Sequence, residues 1–343
     1  ERWVNPRASL SPEDPKRKGA PARGASSRDS KRVISGQAGL REARGFTQRS
    51  SMPVFRPHEP LHLSGETPTP SWDRAAPIAL FDSGVGGLTV LQALAQLLPA
   101  ERFFYIADQV HVPYGGRPLD EIRGFARGLT RHAFARGAKA VVMACNVSSA
   151  TYAAEAAISY GEDRVLGVVE PGAQAAAQAT RTGRIGVLAT AGTVASGAYP
   201  EALARARAQL EVRSVACPRF VPLIEAGKLD GPEAEDAVQE AVAPLLDWAD
   251  TLVLGCTHYP FLLPLLRRLA PDLKTIDPAE ATARVVAAQL GDRAARLEGA
   301  APEHVLHTTG NPEVLEAQAA SMLESSTRWT VGPRLVWPLS RAA

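Results

Sequence analysis

Two cysteines in matching surroundings are the residues of this sequence best suited to chemistry. Cys145 and Cys256 each follow a short apolar run and precede a polar stretch that leads into a predicted helix. A thiol just before a helix N-terminus feels the positive end of the helix dipole, which predicts a lowered thiol pKa. A single such cysteine is more often a small buried side chain, whereas two in mirrored positions favour a pair of reactive thiols.

The third cysteine has a different context. Cys217 precedes Pro218 without a polar continuation, which predicts a structural role. No pair of cysteines has the close spacing of zinc ligands, and His258 lies too near Cys256 for a regular ligand pair. We therefore predict no metal site.

Further polar residues follow other predicted strands. Asp82 opens the run D-S-G-V-G-G and could pair with a ligand ammonium. Asp108 and the P-Y-G-G turn at 113–116 follow the next strand, and Thr190 and Thr193 follow a later one, where helix capping is the simpler role. The glycine run lacks both the G-x-G-x-x-G spacing and the lysine of a phosphate loop, which argues against nucleotide binding.

Apolar runs of strand length alternate with helical periodicity from Pro77 onward, which predicts a parallel α/β fold. Ligands bind beyond the carboxyl ends of strands in such sheets, where both reactive cysteines fall. The strands are predicted at residues 78–81, 103–106, 140–144, 165–169, 185–188, 212–215 and 251–254. The helices are predicted at residues 88–98, 119–135, 193–209 and 232–248.

Composition excludes several protein classes. The 343 residues are 45% hydrophobic with a net charge of +2, which argues against a chain disordered throughout. Three cysteines are too few for a disulfide-stabilised scaffold of this length, and no apolar stretch is long enough to cross a membrane. A cytoplasmic protein without a membrane partner is predicted.

The N-terminal segment differs from the remainder. Residues 1–76 contain 14 basic and 8 acidic residues, so the basic character of the chain resides there. Residues 1–75 lack apolar periodicity and are predicted to be a disordered basic extension. Dispersed mixed charge of this kind is usually solvated, and no nucleic-acid partner is predicted.

Several motifs together resemble the glutamate racemases, cofactor-independent enzymes of bacterial cell-wall synthesis. The resemblance extends from about Ile78 to the T-G-N-P run that ends at Pro312. It rests on F-D-S-G-V-G-G-L-T-V from Phe81, P-Y-G from Pro113, A-C-N from Ala144, E-P-G from Glu170, S-G-A-Y from Ser196, C-P from Cys217 and G-C-T-H-Y-P from Gly255.

The resemblance implies two doubly wound, mainly parallel α/β domains related by a pseudo-twofold, with the active site between them. The first domain would comprise residues 76–168 and 278–343, and the second residues 169–277. The implied activity is racemisation of L-glutamate to D-glutamate for peptidoglycan synthesis, without a cofactor. A homodimer is the implied assembly.

The resemblance also assigns residues. Cys145 would face the proton of the D-isomer and Cys256 that of the L-isomer, with Asp82 and His258 as catalytic neighbours and Glu225 as a weaker candidate. The implied substrate contacts are Asp82, Ser83, Tyr114, Gly115, Asn146, Val147, Thr190, Thr193, Thr257 and His258.

Two departures and two alternatives remain. Val147 stands where the family usually has threonine, so it keeps a backbone N–H but lacks a hydroxyl, and Q-V-H at 109–111 replaces a more polar run. The chain could instead be a related racemase or decarboxylase acting on aspartate, an arylmalonate or a hydantoin. It could also be a ligand-binding regulator, although two intact cysteines argue against that.

Overall fold

A computed structural model of the protein describes residues 73–296 and 302–337. The predicted disordered extension lies outside the described residues up to position 72. Its last three residues are described, and they are held by the folded part, because the carbonyl of Arg74 accepts a hydrogen bond from Lys139 and that of Ala75 accepts one from Arg102.

The described residues form ten strands and eleven α-helices, numbered here in chain order. The strands are β1 (Ile78–Asp82), β2 (Phe103–Ala107), β3 (Ala140–Met143), β4 (Val165–Gly167), β5 (Arg184–Ala189), β6 (Glu211–Ala216), β7 (Thr251–Gly255), β8 (Lys274–Ile276), β9 (His304–Thr308) and β10 (Trp329–Val331). The helices are α1 (Leu88–Leu97), α2 (Leu119–Ala135), α3 (Asn146–Tyr160), α4 (Val169–Ala179), α5 (Ala191–Ala195), α6 (Ala198–Ala206), α7 (Phe220–Glu225), α8 (Pro232–Val242), α9 (Leu263–Leu269), α10 (Pro278–Leu290) and α11 (Pro312–Met322).

The strands form two sheets, and every strand pair in the described part of the chain is parallel. The first sheet has the order β10-β9-β2-β1-β3-β4, and the second has the order β6-β5-β7-β8. The order 2-1-3-4 therefore occurs twice, with β1 to β4 corresponding to β5 to β8. The predicted α/β class with two parallel sheets is confirmed, whereas the domain boundaries drawn from the sequence stay a prediction.

The central strands of both sheets are buried on two faces, as their continuous apolar runs predict. In β1, Ile78 and Leu80 pack on the face that carries α1 and α10, while Ala79 and Phe81 pack on the face that carries α2 and α3. In β7, Leu252 and Leu254 similarly face away from Val253. Helices on both faces leave the carboxyl ends of the strands open for a site.

Three predicted elements differ from the structure by two residues or more at an end. The helix predicted over residues 193–209 is two helices, α5 and α6, because Gly197 between them has φ +68°, a left-handed conformation that interrupts helical geometry. The helix predicted over 232–248 ends at Val242 and continues as turns. The strand predicted over 165–169 ends at Gly167, and α4 begins two residues later.

A buried ion pair closes the amino end of the first sheet. Lys139 Nζ lies 2.6 Å from Glu101 Oε2, and both side chains are almost fully buried.

Replacing Lys139 with methionine is expected to lower the free energy of unfolding by about 3–5 kcal/mol, because a carboxylate is left buried without its counter-charge. Urea unfolding measures this change in the free energy of unfolding. The exposed pair between Arg127 and Glu155 is the control, and Glu155→Ala should cost less than about 1 kcal/mol. Equal costs would contradict this account.

None of the helices formed by the described residues is long and apolar enough to cross a membrane.

Candidate active site

A cavity of about 430 Å³ lies at the carboxyl ends of strands from both sheets. Its wall contains every residue that the sequence predicts as a catalytic or substrate contact: Asp82, Ser83, Tyr114, Gly115, Cys145, Asn146, Val147, Thr190, Thr193, Cys256, Thr257 and His258. Glu225 also lines it. The structure thus brings the predicted residues together, while their individual roles stay predictions.

The two cysteines occupy equivalent positions in the repeated strand order. Cys145 follows β3 and is the N-cap residue of α3, and Cys256 follows β7 directly. The continuation differs, however, because Cys256 is followed by a turn and a 3₁₀ helix over Tyr259–Leu262 before α9 begins. Only Cys145 therefore sits at the start of a long α-helix.

The lowered thiol pKa predicted for Cys145 is wrong. Burial, followed by the negative charge of nearby Asp82, raises the pKa of the Cys145 thiol to about 12. Removal from water opposes the charged form more strongly than the helix terminus supports it. The raised pKa favours the protonated form of the Cys145 thiol.

Asp82 is a buried carboxylate with one oxygen held and one oxygen free. Its Oδ2 accepts hydrogen bonds from Gly87 N at 2.8 Å and from Thr257 Oγ1 at 3.3 Å. Its Oδ1 is buried and has no hydrogen-bond partner among the described residues. An unpaired buried carboxylate oxygen on a cavity wall suits a cationic group of a ligand, because leaving it unpaired is costly.

A chain of side-chain contacts joins Cys256 to His258 and His258 to Glu225. His258 Nδ1 lies 3.9 Å from Cys256 Sγ, and His258 Nε2 lies 2.8 Å from Glu225 Oε1. Burial alone would lower the pKa of His258, but the contacts with Cys256 and Glu225 outweigh it and raise the pKa to about 10. The same hydrogen bond lowers the pKa of Glu225. The raised pKa favours the protonated imidazole of His258 beside the Cys256 sulfur.

Replacing Glu225 with glutamine is expected to lower the pKa of His258, because the imidazolium loses its anionic partner. In the native protein the folded-state pKa of about 10 exceeds the ordinary 6.5. The stabilisation from the charged imidazole is therefore complete below pH 6.5 and is lost as the pH rises through 10. In the variant this loss should occur at lower pH. Histidine ¹⁵N NMR measures the shift, with exposed Glu240→Gln as control, and an unchanged His258 titration would contradict the chain of contacts.

Close backbone approaches join the cavity-lining segments of the two sheets. A Cβ atom on Gly86 would lie 2.5 Å from Thr257 Oγ1, and one on Gly115 would lie 2.9 Å from the Thr190 Cβ. The Gly115 carbonyl also accepts a hydrogen bond from Gly192 N at 2.9 Å. Thr190 caps α5, as the sequence predicts, by accepting from Thr193 N. Thr190 is therefore both the N-cap of α5 and a wall residue, whereas Thr193 lies within α5 and donates the capped N–H, so the capping role predicted for Thr193 is wrong.

Tyr199 is a site residue to which the sequence analysis assigned no role. Its buried hydroxyl donates to Asn146 Oδ1 at 2.7 Å, so a residue of α6 orients an amide of α3. With the amide oxygen occupied, the Asn146 NH₂ group remains to donate elsewhere. The S-G-A-Y run that ends at Tyr199 was the available signal, but nothing local connects it with Asn146.

Cys217 also lines the cavity, although the sequence predicts a structural role for it. It packs in the core of the second sheet, and its thiol contacts the Val215 carbonyl at 3.5 Å. Burial raises the pKa of Cys217 to about 12. No group of three or more candidate metal ligands comes together within the described ranges.

Apart from the His258 imidazole, the cavity provides backbone N–H groups rather than cationic side chains. None of the described residues on its wall is lysine or arginine. Among the described atoms, nothing accepts a hydrogen bond from the backbone N–H groups of Ser83, Tyr114 and Gly115. Such unpaired N–H groups in tight loops bind carboxylates well.

Comparison with known proteins shows the family of this chain. The model of the Asp/Glu/Hydantoin racemase family matches residues 84–286. The glutamate racemase of Ectopseudomonas mendocina (strain ymp) is 47% identical over 218 residues, covering 63% of this chain and 82% of that protein. This chain belongs to the glutamate racemase family. It is accordingly an isomerase, and the family predicted from the sequence motifs is confirmed.

Solved glutamate racemases share the fold. The Thermus thermophilus enzyme, determined with β-chloro-D-alanine, has a TM-score of 0.68 and 38% identity, covering 77% of this chain and 98% of that one. The Francisella tularensis enzyme, determined with D-glutamate, has a TM-score of 0.69 and 27% identity, covering 76% and 98%. The two-sheet architecture described above is thus that of glutamate racemases.

Proposed function

We propose that the protein interconverts L- and D-glutamate by direct proton transfer at Cα between two thiols. The observation that carries the proposal is the placement of Cys145 and Cys256 after equivalent strands of the two sheets, on the wall of one cavity. Inversion of a carbon centre requires a base on one face and an acid on the other. A pair of groups contributed by the two halves of the fold suits that requirement.

The surroundings of the two cysteines support a resting state for the L-to-D direction. The raised pKa of Cys145 favours its thiol form, and the raised pKa of His258 favours an imidazolium 3.9 Å from Cys256 Sγ, where it would stabilise a thiolate. The Cys256 thiolate would take the Cα proton of L-glutamate, and the bonding pair would remain on the substrate as a carbanion. The Cys145 thiol would then deliver its proton to the opposite face, leaving a thiolate there. The D-to-L direction reverses these roles.

The cavity wall supports binding of an amino acid with two carboxylates. Asp82 Oδ1 would accept a hydrogen bond from the substrate ammonium. The unpaired N–H groups of Ser83, Tyr114 and Gly115 would donate to carboxylate oxygens. Hydrogen bonds to the α-carboxylate also stabilise the carbanion, because negative charge builds up there during proton removal.

Glutamate is the substrate favoured among acidic amino acids. The relative from Ectopseudomonas mendocina is named for it, and the Francisella tularensis enzyme was solved with D-glutamate. Aspartate or another acidic substrate is the second candidate, because Val147 offers methyl groups where a threonine hydroxyl would hydrogen-bond. A non-catalytic ligand-binding role is the third. We also propose that the product supplies peptidoglycan synthesis in the cytoplasm, that the enzyme is a homodimer, and that it needs no cofactor.

Circular dichroism with each L-amino acid tests the proposal. Dialysed enzyme without added cofactor should convert L-glutamate to the racemate, whereas L-aspartate should react at least about 10²-fold more slowly. Faster conversion of aspartate would assign the chain to the second candidate. Binding of glutamate without any change in optical rotation would assign it to the third.

A further inference from the structure

We propose that Asp108 is a positioning residue for substrate binding, which fixes the cavity-lining segment Tyr114–Gly115 and couples it to Trp337. This inference rests on the proposed function, because it concerns how the same site holds its substrate. Asp108 is an acidic residue at a predicted strand end, yet it does not line the cavity.

The Asp108 carboxylate is the centre of a buried hydrogen-bond cluster. It is fully buried, directly after β2. Its Oδ2 accepts from the Tyr114 hydroxyl at 2.5 Å and lies 2.9 Å from His111 Nδ1. Its Oδ1 accepts from Trp337 Nε1 at 2.7 Å and from Thr309 Oγ1 at 2.8 Å. Both oxygens are therefore occupied, and Asp108 can act on the site only through the groups that it holds.

Tyr114 links Asp108 to the cavity wall. Its hydroxyl is committed to Asp108, so its ring and backbone are what it presents to the cavity wall. The next residue, Gly115, rests against Thr190, and its carbonyl accepts from Gly192 N at 2.9 Å. The segment is thus fixed from one side by Asp108 and from the other by the second sheet's loop, with its N–H groups left for a carboxylate.

Trp337, which follows β10, belongs to the same hydrogen-bond cluster. Its indole lies against Gly128 of α2, where a Cβ atom would come within 2.8 Å of the ring. It also contacts His111 edge-on and lies beside Phe125. The neighbouring Leu335 N donates to the Thr308 carbonyl at 2.8 Å. The indole is therefore held firmly enough to orient the carboxylate that it donates to.

The test uses Trp337→Phe and Tyr114→Phe, which each delete one donor to Asp108 and keep an aromatic ring. Each should raise KM by about tenfold, as expected for losing a hydrogen bond to a charged group, with kcat changed less than about twofold. KM should rise equally for L- and D-glutamate, because the segment binds a carboxylate that both isomers share. Asp108→Asn should raise KM further.

The control is Thr282→Val, which removes a buried hydrogen bond from Thr282 to the Pro278 carbonyl within α10, on the opposite face of the first sheet from α2. It should lower the melting temperature without changing KM. The inference is overturned if the Trp337 and Tyr114 variants lower the melting temperature while KM stays within twofold of the wild type. Failure of the proposed function is a separate outcome, because the wild type itself would then not racemise glutamate.

Discussion

Replacing Cys145 with serine is expected to reduce racemisation about 10³-fold or more while leaving one half-reaction intact. Serine is close to cysteine in size but far less acidic, so it cannot serve as the base on its face. In Cys145→Ser, Cys256 should still remove the proton of the L-isomer. In Cys256→Ser, Cys145 should still remove that of the D-isomer. The same loss of racemisation is thus expected from two variants with opposite isomer preferences.

Glutamate carrying chloride at Cβ makes the half-reaction visible. Proton removal from Cα expels chloride, and the resulting enamine hydrolyses to 2-oxoglutarate and ammonia, which a coupled assay detects. Cys145→Ser should eliminate only from the L-isomer and Cys256→Ser only from the D-isomer. If both folded variants lost elimination from both isomers, the assignment of one face to each thiol would have no support. If Cys217→Ser alone abolished activity, the pair would have been chosen wrongly.

Replacing Asp82 with asparagine has the second-largest expected effect, a fall in kcat/KM of about 10²-fold. The variant keeps an oxygen for Gly87 N but loses the negative charge that faces the substrate ammonium. Because that charge raises the pKa of Cys145, its removal should lower this pKa and move the corresponding limb of the pH profile to lower pH. The pH dependence of kcat/KM in both directions measures this.

Asp163→Asn is the matched control, since Asp163 is a half-exposed carboxylate paired with Arg293 on the surface. It should leave both the rate and the pH profile unchanged. An Asp82→Asn enzyme with wild-type kcat/KM would contradict a role for this carboxylate. A large loss of activity with no displacement of the profile would assign Asp82 to substrate binding alone.

The sequence located Asp82, Cys145 and Cys256 because local patterns determine where strands end, whereas most other wall residues were implied by the resemblance to glutamate racemases. Apolar runs that stop at Asp82, Cys145 and Cys256 locate the carboxyl edges of the sheets, and parallel sheets bring such edges together. The helix break at Gly197 was missed, because the flanking residues keep helical periodicity and one backbone conformation overrides it.

Contacts between distant segments could not be predicted. Tyr199 meets Asn146 across 53 positions, and Trp337 meets Asp108 across 229. The direction of the Cys145 pKa shift could not be predicted either, because burial by the whole cavity, rather than the helix that follows, determines it. Spacing along the chain carries no information about any of these.

Racemisation of L-glutamate in D₂O, stopped at low conversion, tests the two-thiol account most directly. The base that takes the Cα proton and the acid that returns a deuteron lie on different faces in this account. The D-glutamate formed should therefore carry deuterium at Cα, while the remaining L-glutamate keeps its proton, as measured by ¹H NMR and mass spectrometry. Equal early incorporation of deuterium into both isomers would show a single group serving both faces and would contradict the account.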